Sequence, residues 1–226
     1  MAREASTPEF DSRHVVGHEP RWPNLVAGLA VGGLYMALPV HLSMGPRWLL
    51  IAIVCILQMA IWVAMRQRNY LVGTIIGHVL SGILTVFMIG SLALLIHALP
   101  LHKEAPSRLL ESAASLWVTN VIVFASWYWR LDAGGPHQRA MRVAHTDGAF
   151  LFPQMTLDNE KRAELGEQDW SPVFVDYLFL AFNTSTALSP ADTAILSRWA
   201  KVMMMVQALI SQMVIALLAA RAVNIL

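Results

Sequence analysis

Along most of the chain, stretches without a charged residue alternate with short polar connections. Residues 48–65 hold no Asp, Glu, Lys or Arg in 18 positions, and residues 71–99 hold none in 29. Uncharged apolar runs of about 20 residues match the hydrocarbon thickness of a bilayer. The pattern predicts helices from about Asn24 to Ser43, Trp48 to Met65, Leu71 to Leu99, Arg108 to Trp129 and Trp199 to Leu226. Proline lacks an amide proton and clashes with the preceding turn, so Pro39 should kink or fray the end of the first helix. Met44-Gly45-Pro46 makes a tight connection, so the first two helices should form an antiparallel hairpin. The third helix is longer than a bilayer needs and should tilt or project. Gly28 and Gly32, like Gly73 and Gly77, stand four apart, a spacing that lets helix backbones approach closely in lipid. Trp22 and Trp127-Tyr128-Trp129-Arg130 read as interfacial belts, the second with a basic anchor.

Polarity divides the chain into four parts. Residues 1–21 form a polar tail with Glu4, Glu9, Asp11 and Glu19, without the short apolar core of a signal peptide. The first apolar helix then serves as an uncleaved insertion signal. Residues 22–130 are a four-helix transmembrane region. Residues 131–172 carry seven acidic and four basic residues and read as an aqueous loop, too long for a passive connection. Within it Phe150, Leu151, Phe152 and Met155 should pack down on the membrane region. Residues 173–226 hold a short apolar helix, a polar loop and the last helix.

Composition fits this division. Of 226 residues, 56% are hydrophobic and 14% charged, where soluble domains carry roughly 25% charged residues. The net charge of +1 and the lack of a basic stripe give no sign of a nucleic-acid partner. The one cysteine, Cys55, lies in an apolar run and can form neither an intrachain disulfide nor a metal site. Its reading is a small buried or lipid-facing residue.

Chemistry concentrates in residues 173–190. Phe174–Phe182 is apolar, and Asn183, Thr184, Ser185 and Thr186 follow in a row, covering every face of a helical turn. Irregular backbone at membrane depth is tolerated only where protein buries it or water reaches it. The segment is either a half-spanning re-entrant helix with a loop, or a shallow or full span. Hydroxyls also commonly tie membrane helices together. Ser189-Pro190-Ala191-Asp192 reads equally as a turn before a capped helix start.

The stretch Asp176–Asp192, followed by Leu196–Lys201 and the last helix, resembles the pore-helix, filter and inner-helix region of bacterial potassium channels. The same stretch, with four helices and a polar loop before it, also resembles the C-terminal part of uncharacterised bacterial inner-membrane proteins that include the DUF1345-type family, and Trp129–Pro136 and Phe150–Thr156 resemble segments of a closely related uncharacterised group. The channel resemblance implies a homo-oligomer, a tetramer if channel-like, with Asn183, Thr184, Ser185, Thr186 and Ser189 towards a central axis and Asp192 at its mouth. A potassium filter reads Thr-Val-Gly-Tyr-Gly and replaces the ion's hydration shell with carbonyls. Aligning Thr186 with its threonine puts Leu188 and Pro190 at the glycines. Proline fixes φ and leucine resists positive φ, so potassium selectivity is not carried over.

A re-entrant 173–197 puts twelve Lys/Arg on the N-terminal side and four opposite: Arg47, Lys103, Arg108 and Arg221. The positive-inside rule then turns the pore-like loop to the cytoplasm, whereas potassium filters face outward. Either the hairpin is inverted, or 173–190 spans and there are six helices. His78 is the one histidine well inside a span. Such a residue is a functional candidate by default, but its plainer reading is a hydrogen bond to a neighbouring helix. His78 and His97 lie nearly 30 Å apart on one helix and cannot share a ligand site. His-Glu-x-x-His, Gly-x-Ser-x-Gly and phosphate-loop signatures are missing, so no enzyme, metal or cofactor is expected. The sequence thus predicts an all-α integral protein of the bacterial inner membrane. It should have about five transmembrane helices plus a re-entrant or shallow helix at 173–187. It is expected to be channel-like or transport-related; the alternative is a non-conducting structural or accessory protein.

Overall fold

The computed structural model describes residues 22–98, 106–141, 148–167, 170–190 and 192–223. The chain is all-α apart from one two-residue strand pair. Helix α1 spans Trp22–Ala37, α2 Trp48–Arg66, α3 Tyr70–Ala98 and α4 Pro106–Leu131. Short helices α5 (Pro136–Ala140) and α6 (Asn159–Glu164) lie in the connection to α7 (Phe174–Thr186), and α8 covers Arg198–Val223. Helices α2, α3, α4 and α8 are long and apolar enough to cross a membrane.

Pro39 acts as its chemistry demands. Helix α1 stops at Ala37, and a 3-10 turn from Val40 to Leu42 leads into Ser43. Helix α1 therefore ends nearly two turns earlier than the apolar run suggests. Helices α1 and α2 form the expected antiparallel hairpin: Gly28 faces Val54 and Gln58, and Gly32 faces Ile51. A side chain on Gly32 would press into Ile51 at 3.2–3.3 Å. Helix α3, 29 residues and about 43 Å long, packs on α2 and α4. Its Gly73 abuts Met65 and Ala64, and its Gly77 makes room for the Arg130 guanidinium of α4.

Helix α4 is the hub, packed against α1, α3, α7 and α8. That position corrects the reading of its last turn. Tyr128 and Trp129 are buried in the core and Arg130 turns inward against α3, so this is no lipid-facing belt with a basic anchor. The rings of Tyr128 and Trp129 face protein and not lipid.

Residues 131–172 are structured where described. Phe150–Leu151 (β1) pairs antiparallel with Ala194–Ile195 (β2), Phe150 opposite Ile195. Phe150 and Phe152 are buried, as their apolar character in a polar stretch predicts. The Phe150 ring meets Tyr128 at 5.2 Å, Tyr177 at 6.1 Å and Trp199 at 6.0 Å, and so joins α4, α7 and α8. Asp132, buried at the end of α4, accepts from the Ala149 amide and from the Tyr177 hydroxyl at 2.6 Å. Arg139 donates to the Trp129 and Asp132 carbonyls at 2.8 and 2.9 Å and stacks on Tyr177.

These contacts fix the direction of α7. Tyr177 and Trp199 share one partner, and Ser185 and Gln207 are hydrogen-bonded. Each pair lies eight positions further along its helix (177 to 185, 199 to 207), so α7 and α8 run side by side in the same direction. Residues 187–197 bring the chain back to the level at which α7 began.

Candidate functional site

The candidate residues divide by where α7 turns them. The helix continues through Thr186, so Asn183, Thr184, Ser185 and Thr186 form its last turn and not a loop. Successive residues on a helix point about 100° apart. Thr184 and Ser185 are buried, Asn183 is half-buried and Thr186 is exposed. Thr184 Oγ1 donates to the Leu180 carbonyl at 2.8 Å, and Thr186 Oγ1 to the Phe182 carbonyl at 2.9 Å. A hydroxyl that bonds back to its own helix satisfies itself locally, which makes Thr tolerable in a membrane helix. The Asn183 Nδ2 is buried without a partner.

Leu188 takes the left-handed conformation with φ +53. It stands one residue past the Ala187 C-cap, the position where helices commonly end in that conformation, usually with glycine. The constraint anticipated at Leu188 is thus present, but it terminates a helix and lines no ladder of carbonyls. Ser189 is half-buried and Asp192 exposed, beyond the helix end. Asp192 does not cap the last helix. Helix α8 starts six residues later, at Arg198, where the Ser197 Oγ accepts from the Ala200 amide at 3.4 Å.

What the sequence reading missed is the partner set of Ser185. Gln207 of α8 is fully buried, and its Nε2 donates to Ser185 Oγ at 2.9 Å and to the Ala181 carbonyl at 2.7 Å. Its Oε1 accepts from the Tyr128 hydroxyl at 2.6 Å. One turn on, Ser211 Oγ accepts from Asn120 Nδ2 at 2.7 Å, and the same amide reaches the Gln207 carbonyl at 3.3 Å. The signal was available: Gln207 and Ser211 are four apart in an apolar helix, and Asn120 is alone in another.

Depth follows from the charges that bound each helix. Asn120 lies nine positions from Glu111 and ten from Arg130, and Ser211 is central in the uncharged run Val202–Ala220. The network therefore sits midway along the apolar length of α4 and α8, and the end of α7 lies there with it. His78 also departs from expectation: its Nδ1 meets the Thr74 carbonyl of its own helix at 2.9 Å, not a neighbouring helix. Comparison with protein-family models, curated proteins and solved structures gives no match.

Proposed function

We propose that this chain is a channel-like or transport-related multi-pass protein of the bacterial inner membrane, working as a homo-oligomer. In this reading α7 is a re-entrant half-helix. Its 13 residues extend about 20 Å, short of a hydrocarbon core of roughly 30 Å. The observation that carries the reading is its uncovered tip. Thr186, Ala187 and Leu188 are exposed near the middle of the apolar layer, where a helix end must meet water or protein. A path between subunits satisfies that demand, and one such hairpin cannot enclose a pore alone. Discontinuous helices that end at mid-depth are a recurring feature of substrate and ion sites in transporters. The charge balance turns the mouth of the hairpin to the cytoplasm, opposite to a potassium channel, and Leu188 and Pro190 stand where such a filter needs glycine. The DUF1345-type resemblance belongs to this same proposal and brings no activity with it.

One observation favours the non-conducting alternative. Thr184 and Ser185 spend their hydrogen bonds inside the subunit, which suits a packing element. Cysteine accessibility separates the two readings. With Cys55 replaced by serine, Thr186→Cys in sealed vesicles should react with a small charged thiol reagent. Complete protection in both sealed and leaky vesicles would reject a water-accessible tip and leave the packing reading.

A further inference from the structure

Helices α1, α2, α3, the end of α4 and the start of α5 line a cavity of about 360 Å³. Its walls are mostly apolar, with Leu25, Ile61 and Trp62 among them, and among the described residues that line it Arg130 is the one Lys, Arg, Asp or Glu, with His137 nearby. Gly77 has no side chain where the guanidinium lies, and any Cβ there would collide with it. The guanidinium stacks over Trp129 at 5.5 Å. The Arg130 Nε is fully buried without a hydrogen-bond partner, and no carboxylate pairs with Arg130 among the described residues. Arg130 is half-buried as a residue, and a cation set against apolar walls with its Nε cut off from water is stabilised when an anion joins it.

The rim indicates which anion. Trp22, Leu25 and Trp62 line the opening and are exposed at 67%, 42% and 56%. Tryptophans of this kind settle at the headgroup level of a bilayer. Arg66 at the end of α2 sits over Trp62 at 5.7 Å and adds a second cation at the mouth. On the orientation argued above, this level is the cytoplasmic headgroup layer, where basic pockets between helices select anionic lipids. A volume of this size would accommodate a headgroup and glycerol, with the acyl chains passing Leu25 and Trp62 towards the bilayer.

We propose that this cavity is a binding site for an anionic phospholipid, with the lipid phosphate on Arg130. The proposal rests on the membrane reading and is independent of any transport path at α7. The test is native mass spectrometry of the purified full-length protein with phosphatidylglycerol or phosphatidylcholine added. Wild type should retain phosphatidylglycerol roughly fivefold over phosphatidylcholine. Arg130→Gln should abolish that preference and Arg130→Lys should keep part of it. Thr74→Trp fills the cavity from α3 with Arg130 intact, and should lose lipid while keeping the wild-type melting temperature. Equal retention of both lipids by wild type, or an unchanged preference in folded Arg130→Gln, would overturn the proposal. Displacement of phosphatidylglycerol by millimolar inorganic phosphate would also overturn it, and would assign the site to a free anion.

Discussion

The two halves of the molecule treat polar groups inside the membrane in opposite ways. Where α4 meets α7 and α8, most polar side chains are paired: Gln207, Tyr128, Ser185 and Ser211 join one network through side chains and backbone carbonyls, and the neutral amide atoms Asn120 Oδ1 and Asn183 Nδ2 stay unpartnered there. Where α1, α2 and α3 meet the end of α4, Arg130 is left over beside a cavity. A connected network resists disruption, because removing one member strands its partners. An unsatisfied cation invites a ligand. The first half is thus built to hold together, and the second to accept something.

The largest effect is expected from Asp132→Ala, which removes the acceptor that joins the Ala149 amide and the Tyr177 hydroxyl to α4. Bonds to a buried charged group are the stronger kind, so the loss should be about 3 kcal/mol, read from denaturant unfolding in mixed micelles. A loss below about 1 kcal/mol would mean that β1 and α7 hold their places without this anchor. Next is Gln207→Leu, which keeps the volume but strands Tyr128 and Ser185. It should cost about 2 kcal/mol, near the upper end for polar contacts between membrane helices. The same change at Gln58 sharpens the comparison. Gln58 reaches one carbonyl, Leu25, at 3.1 Å from a half-buried position. Gln58→Leu should cost about 0.5 kcal/mol. Equal costs at the two glutamines would erase the distinction between the halves.

Much of the helical layout was legible. Uncharged runs gave the long helices because the bilayer excludes charge over a fixed thickness, and Pro39 stopped α1 because it cannot continue the hydrogen-bond ladder. Phe150 and Phe152 were legible as buried because apolar rings in a polar stretch must find cover. The candidate site was legible only as composition. The sequence placed a helix over 173–187, close to the observed Phe174–Thr186, but four polar residues in a row did not reveal that Ser185 faces Gln207 while Thr186 faces outward.

Arg130 marks the boundary between the two kinds of knowledge. Sequence alone placed it at the end of an apolar run, beside two tryptophans, where a basic residue ordinarily reaches for water. The sequence by itself determined the long helices and their order, because these follow from local periodicity and from the exclusion of charge by lipid. Only the tertiary structure decided that α4 is enclosed, that β1 finds β2 across the chain, and that α7 runs alongside α8. Those choices depend on which faces meet, and contacts between residues far apart in sequence leave no periodic trace along the chain.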